Sequence, residues 1–166
     1  MADPILLATF ITITLCCIGL SWFAGSDAPY VATKMDNIKD ILKRAGTGKN
    51  KIFYELGSGD GRVVIEAAKL GARANGVEQS WIRVWYSRYK ARQLRLNAVF
   101  FHGNIFDRSY FPADIVYIYL LSNAVQRLEG KLKKELKQGS IVITQTYHFK
   151  KWRPFKKAGD FWLYKV

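Results

Sequence analysis

The sequence predicts an α/β protein: a mostly parallel sheet with helices on both faces, an antiparallel last strand, and an N-terminal transmembrane helix. Three observations predict it. Residues 5–24 form an uncharged apolar run of 20 residues. Beyond it, short apolar runs alternate with helical patterns, the order that builds parallel sheets. A glycine-rich turn, Gly57-Ser58-Gly59-Asp60-Gly61, joins the first such run to the helix after it. The composition fits a packed core, with 49% hydrophobic and 14% aromatic residues among 166. Disordered and collagen-like chains are excluded. The two cysteines, Cys16 and Cys17, both lie in the apolar run. No disulfide framework, no cysteine nucleophile in the domain and no metal are therefore expected.

The apolar run comes first in order. At ~1.5 Å per residue it spans ~30 Å, the thickness of a bilayer core. A cleaved signal peptide would carry a basic start and a shorter apolar stretch. Here the start is Met-Ala-Asp. A buried helix of a soluble fold is the third alternative. The expected division is an anchor over residues 1–28 and a domain over 29–166. No Lys or Arg precedes the run, while Lys34, Lys39, Lys43 and Arg44 follow it. The positive-inside rule then puts the domain on the cytoplasmic side, or its equivalent in an organelle. The net charge is +13, from 26 basic and 13 acidic residues. That excess suits an anionic bilayer surface, so membrane contact is expected through the helix and a basic surface. Nucleic acid is disfavoured.

The remaining elements follow in order. Ile38, Ile41 and Leu42 sit at helical spacing within 36–45. Residues 51–56 read as a buried strand. A helix opens after the glycine turn, and Gly71 closes it. Residues 74–78 form a second strand. The spacing predicts a long helix over 80–96, with Trp81, Val84, Trp85 and Leu96 on its apolar side. Residues 98–101 and 114–121 are the third and fourth strands; the fourth is nearly continuous in apolar residues, as a central strand should be. A charged helix covers 123–137. Residues 140–147 form the fifth strand and 161–166 the last, at or near the sheet edge, with a Lys-rich loop over 150–157.

The glycine turn carries the chemistry. In open α/β sheets, ligands bind at the carboxyl ends of strands. Glycines let a backbone turn tightly and approach a ligand, and the helix that follows offers free N–H groups to an anion. Glu55 adds a carboxylate for a cationic group. Both features together suit a zwitterion. The spacing is not the dinucleotide fingerprint, and the P-loop ending Gly-Lys-Ser/Thr is missing. Glu78 lies 21 residues after Gly57, at a strand end where a carboxylate can accept two ribose hydroxyl protons. Asn104 follows the third strand. Taken singly, these residues also read as a plain turn, a solvated strand end and a turn former.

The pattern E-x-G-x-G-x-G resembles motif I of the Rossmann-like class I methyltransferases, whose cofactor is S-adenosyl-L-methionine. Residues 29–34, the ELGSGDGRVV stretch, the segment from Ile118 to Phe149 and the closing FWLYKV together resemble one family, the small protein-lysine methyltransferases. That family includes broad-specificity archaeal enzymes and membrane-anchored mitochondrial ones. Ala32 departs from it where proline is usual. The resemblance implies cofactor contacts at Glu55, Gly57, Ser58, Gly59, Asp60, Gly61, Glu78, Gln79, Asn104, Ile105 and Leu120. It implies catalytic positions at Tyr30 and Thr33, over the cofactor, and at Tyr119 and Asn123, on the substrate side.

The implied reaction is methyl transfer to lysine Nε, an in-line displacement governed by positioning and exclusion of water. The expected partner is a protein with a membrane-proximal lysine. Two other readings stay open. One is a membrane lipid or quinone methyltransferase. The other is an RNA-directed methyltransferase or binding module. Pyrimidine methylation through a cysteine adduct is excluded, and the Asn/Asp-Pro-Pro-Tyr segment of base-amine enzymes is replaced here by Tyr119-Leu120-Leu121-Ser122-Asn123.

Overall fold

The computed structural model describes residues 3–23, 35 and 37–166, without the side chains of residues 18 and 21–23. Its elements are α1 (Pro4–Phe23), α2 (Ile38–Arg44), β1 (Ile52–Leu56), α3 (Arg62–Lys69), β2 (Arg73–Glu78), α4 (Trp81–Gln93), β3 (Ala98–His102), β4 (Ile115–Ile118), α5 (Ser122–Glu135), β5 (Ile141–Gln145), β6 (Lys156–Ala158) and β7 (Phe161–Lys165). The strands form one sheet in the order β3-β2-β1-β4-β5-β7-β6. All pairs among β1 to β5 are parallel, and β7 runs antiparallel to both β5 and β6.

Side chains alternate across the sheet because the strand period is two. Phe53, Ile115, Tyr117 and Ile143 pack with Ile38 and Leu42 of α2, Val64 of α3 and Val84 of α4. Leu56, Val116, Ile118 and Val142 pack with Val125, Leu128 and Leu132 of α5. Each such buried aliphatic or aromatic side chain stabilises the fold by ~1.5–3 kcal/mol. The sheet order reverses beside β1, which makes the carboxyl ends of β1, β2 and β4 the natural ligand crevice. Register aligns those ends: Leu56 lies opposite both Val77 and Ile118, and Ile118 opposite Thr144. The next residues along, Gly57, Glu78, Tyr119 and Gln145, share one rim.

Three expectations need correction. The apolar side expected for α4 is not the one that packs: Arg83, Val84, Ser87 and Ala91 are buried, while Trp81 and Trp85 are exposed. The gap between α4 and the turn below it is thin. A Cβ added at Gly61 would lie 2.8 Å from Ser87 Oγ, so small residues fit there and indoles do not. The fourth strand ends at Ile118, not at 121. Tyr119, Leu120 and Leu121 leave the ladder and form part of the rim. The Lys-rich loop contains a strand, β6, at the sheet edge, so β7 sits one place inside. Three residues, two of them lysines, give no periodic signal, and edge lysines discourage pairing with other chains.

The expected transmembrane span is not established by the fold. Among the described residues, no helix is long and apolar enough to cross a membrane. The part of α1 whose side chains are described without a break, residues 4–17, reaches about 21 Å at 1.5 Å per residue, short of a bilayer core of ~30 Å.

Candidate active site

The turn after β1 is clipped to β2 by its own backbone. The N–H groups of Gly57 and Ser58 both donate to the Val77 carbonyl, each at 2.9 Å. The Gly59 N–H donates to Glu78 Oε2 at 2.9 Å, and the Ser80 N–H to Glu78 Oε1 at 2.9 Å. The buried Arg83 guanidinium stands 3.6 Å from the same Oε1. Glu78 thus ties the turn, the β2 end and the start of α4 together. A carboxylate has about four lone-pair sites, so each Glu78 oxygen can still accept another hydrogen.

The glycines of the turn do different jobs. Gly57, Gly59 and Gly61 have φ of +77°, +53° and +76°, a region that disfavours other residues. A Cβ at Gly57 would lie 2.7 Å from Leu120 Cδ2, so Leu120 roofs the turn from the β4 side. A Cβ at Gly61 would stand 2.6 Å from the Phe100 ring. The third glycine therefore serves the packing of α3 against β3 and α4.

Three acids converge here. Glu55 is buried and accepts the Val64 N–H at 3.2 Å, one of the donors left free in the first turn of α3. Burial pushes its pKa well above the usual carboxylate range; the Val64 bond opposes this, and Asp60 and Glu78 add to it. Burial would also raise Asp60. There, Arg62 outweighs it, with Nε 2.9 Å and Nη2 2.6 Å from the carboxylate, and the pKa lies below its ordinary value.

The structure gathers the turn, Glu78, the half-buried Gln79, Leu120 and Tyr119 on the rim. Tyr119 packs on the layer that holds Tyr117. Asn104 is exposed, and its Oδ1 accepts the Phe106 N–H at 3.0 Å. The Ile105 carbonyl accepts the Tyr110 hydroxyl at 2.7 Å. Asn123 is exposed in the first turn of α5. Tyr30 and Thr33 lie outside the described residues. Among the described residues, no group of three or more His, Cys, Asp or Glu could hold a metal ion.

Sequence reasoning missed several residues of the rim. Gly76 lets Ser58 sit on β2: a Cβ there would lie 2.6 Å from Ser58 Oγ. A glycine inside a strand is a readable sign of such close approach. Arg83 gave no sign, because a basic residue in a basic helix reads as solvated. At the end of β5, the buried Tyr117 hydroxyl donates to Gln145 Oε1. The Tyr147 N–H then donates back to the Gln145 carbonyl at 2.7 Å, and Thr146 between them has φ +63°. That i→i+2 bond around a positive φ is the rare, strained form of γ-turn.

These residues fit S-adenosyl-L-methionine. Ser58 Oγ is buried without a hydrogen-bond partner, and Glu78 keeps acceptor capacity for a ribose diol. The turn and α3 start would hold the methionine half, Glu78 the ribose, and Asn104 with Ile105 the adenine side. The comparisons with known proteins agree. The family model described as the ANTKMT methyltransferase domain matches residues 55–156. A protein-lysine N-methyltransferase of Saccharolobus islandicus (strain REY15A) is 34% identical over 130 residues, 76% of this chain and 81% of that protein. An ATP synthase lysine N-methyltransferase of Xenopus laevis is 35% identical over 136 residues, 80% of this chain. This chain spans only 59% of that relative's length. The crystal structure of an RNA methyltransferase from Salinibacter ruber with S-adenosyl-L-homocysteine superposes with a TM-score of 0.75 at 29% identity, covering 81% of this chain and 91% of the other. The fold, the turn and the sequence identity converge on one conclusion: the chain belongs to the ANTKMT methyltransferase-domain family of S-adenosylmethionine-dependent protein-lysine methyltransferases.

Proposed function

We propose that the chain is a membrane-anchored enzyme that methylates lysine Nε in membrane proteins, at positions close to the bilayer. The observation that carries the lysine reading is the identity to the Saccharolobus protein-lysine N-methyltransferase across most of both chains. The end of β4 supports it, because Tyr119, Leu120 and Leu121 stand where enzymes acting on base amines carry a polar, proline-rich segment. When bound, S-adenosylmethionine supplies an electrophilic methyl group on a sulfonium. The chain's residues provide the surroundings. Leu120 over Gly57 excludes water from the turn. Apolar walls lower the acceptor lysine from its reference pKa of ~10.4, which favours the free amine. Tyr119, with Tyr30, can face the methylated ammonium with an aromatic ring.

The membrane part rests on the uncharged 20-residue run and on the exposed apolar side chains along α1, among them Ile5, Leu6, Phe10, Leu15 and Leu20. The basic residues after the run place the domain on the cytoplasmic side or its organelle equivalent. From residue 24 to Tyr30 an extended chain reaches at most ~20 Å, which keeps the rim near the headgroups. Labelled cofactor and a membrane extract test the reading. Label should enter protein, resist lipid extraction and nuclease, and return as methyl-lysine after acid hydrolysis. The protein should also resist alkaline extraction from vesicles. A second reading, methylation of RNA, is favoured by the Salinibacter neighbour; it would show as nuclease-sensitive label.

A further inference from the structure

The outer side of α4 has no counterpart in the cofactor site. Trp81, Trp85 and Tyr89 recur every four residues and are 62%, 68% and 53% exposed. Arg88 and Arg92 are exposed on the same side of the helix, since 81, 85, 88, 89 and 92 follow the 3.6-residue period. Trp81 stacks on His102 at 3.9 Å and Trp85 on Tyr89 at 6.2 Å, so the rings form an ordered strip. Leu94 and Val99 continue its apolar surface. From Gln79 to Phe106 the sequence holds no acid, while it holds Arg83, Arg88, Lys90, Arg92 and Arg95. Two indoles and a phenol facing water on one helix mark an interaction surface.

We infer that this strip is a bilayer-contact surface that beds in the headgroup layer of an anionic membrane. Trp and Tyr are the side chains that favour that layer, with an apolar body and a polar tip. The acid-free, basic segment supplies the charge complement, at ~1 kcal/mol for each Lys or Arg near an anionic surface. The strip is also continuous with the apolar helix: α1 passes beside α4. α4 starts two residues beyond Glu78 at the cofactor rim. A bedded strip therefore sets the rim at the membrane surface, independently of the tether's length. The inference extends the membrane reading above from α1 to a second element, and it can fail alone.

The test uses the full chain in vesicles of equal parts phosphatidylcholine and phosphatidylglycerol, with bromine placed on the lipid either just below the headgroup or deep in the acyl chain. Tryptophan emission should be quenched by the shallow bromine, and Trp81→Phe/Trp85→Phe should lose most of that component. Iodide should reach these indoles in detergent and not in vesicles, a comparison that needs no variant. Unchanged cofactor affinity shows that the double variant is folded. Vesicles of phosphatidylcholine alone should give weaker shallow quenching. If α1 resists alkaline extraction while both indoles stay open to iodide, the strip inference is overturned and the anchored reading stands. If the chain does not associate with vesicles, both fall. If oligouridine shields the indoles and added salt releases it, while the vesicles do not, the strip binds nucleic acid and the inference is overturned.

Discussion

The rim of the sheet has two halves that are built differently. On the β1–β2 side, Glu55, Ser58, Gly59 and Glu78 are buried, and backbone N–H groups of the turn, α3 and the α4 start converge on the two carboxylates. On the β4–β5 side, Tyr119 and Leu120 are half-buried, and Asn123, Thr146 and Tyr147 are exposed. One side-chain pair, Tyr117 with Gln145, and one strained turn hold that side. The contrast follows from what each half must receive. A small cofactor of constant shape rewards a cradle formed in advance, because little ordering cost is left for binding. A lysine carried by another polypeptide needs an approach from outside.

Substitutions can break this contrast, and the largest effect belongs to the buried half. Gly61→Val should cost about 2–5 kcal/mol of stability, the sum of a left-handed backbone and an overpacked Phe100 contact. Thermal unfolding should show it directly, with the cofactor present or absent. A wild-type melting temperature would mean that the turn is looser than its packing implies. Next, Glu78→Ala removes a charged acceptor worth ~1.5–3 kcal/mol, so cofactor affinity by calorimetry should drop about 10- to 150-fold.

The open half should respond in the opposite sense. Tyr119→Ala should leave cofactor affinity and melting temperature near wild type. Methyl transfer to lysine should fall about 2- to 30-fold, the range of a cation–π contact of ~0.5–2 kcal/mol. An equal loss of cofactor affinity would move Tyr119 into the cofactor half. The smallest effect is in pH. Burial raises the Glu55 pKa in the folded state, so the folded chain holds that proton more tightly than the unfolded chain. The Glu55 contribution is greatest below the ordinary glutamate value of ~4.3 and falls as pH rises above it, until the folded group has ionised. Glu55→Gln keeps an acceptor for the Val64 N–H and should flatten that fall in a series of melts against pH.

Much of the cofactor half was legible because its signals are local. Gly57-Ser58-Gly59-Asp60-Gly61 lies in one stretch, and Glu78 stands at a strand end that composition alone suggests. Asp60 shows the limit: the sequence marks its position, while its pairing with Arg62 and lowered pKa follow from the fold. The acceptor half was legible only where the chain leaves a strand. Tyr119 and Leu120 read as a site through family resemblance, since an apolar run continues past Ile118 without a break. Gln145, Thr146 and Tyr117 gave no sign, because their relation is a bond across β4 and β5.

The sequence by itself determined the α/β alternation, the antiparallel last strand, the place of the ligand crevice and the chemistry of its cofactor. Periodicity, glycine spacing and charge order are properties of neighbours along the chain, and those properties fix local elements. Tertiary structure decided which side of α4 is buried, that Gly61 serves packing, that Glu78 ties three elements together, and that Trp81, Trp85 and Tyr89 face outward. Each of these depends on how closely two elements approach. The 2.8 Å left between Ser87 Oγ and a Cβ at Gly61 turns an indole-bearing side of α4 away from the sheet, and no pattern along a single helix records that distance.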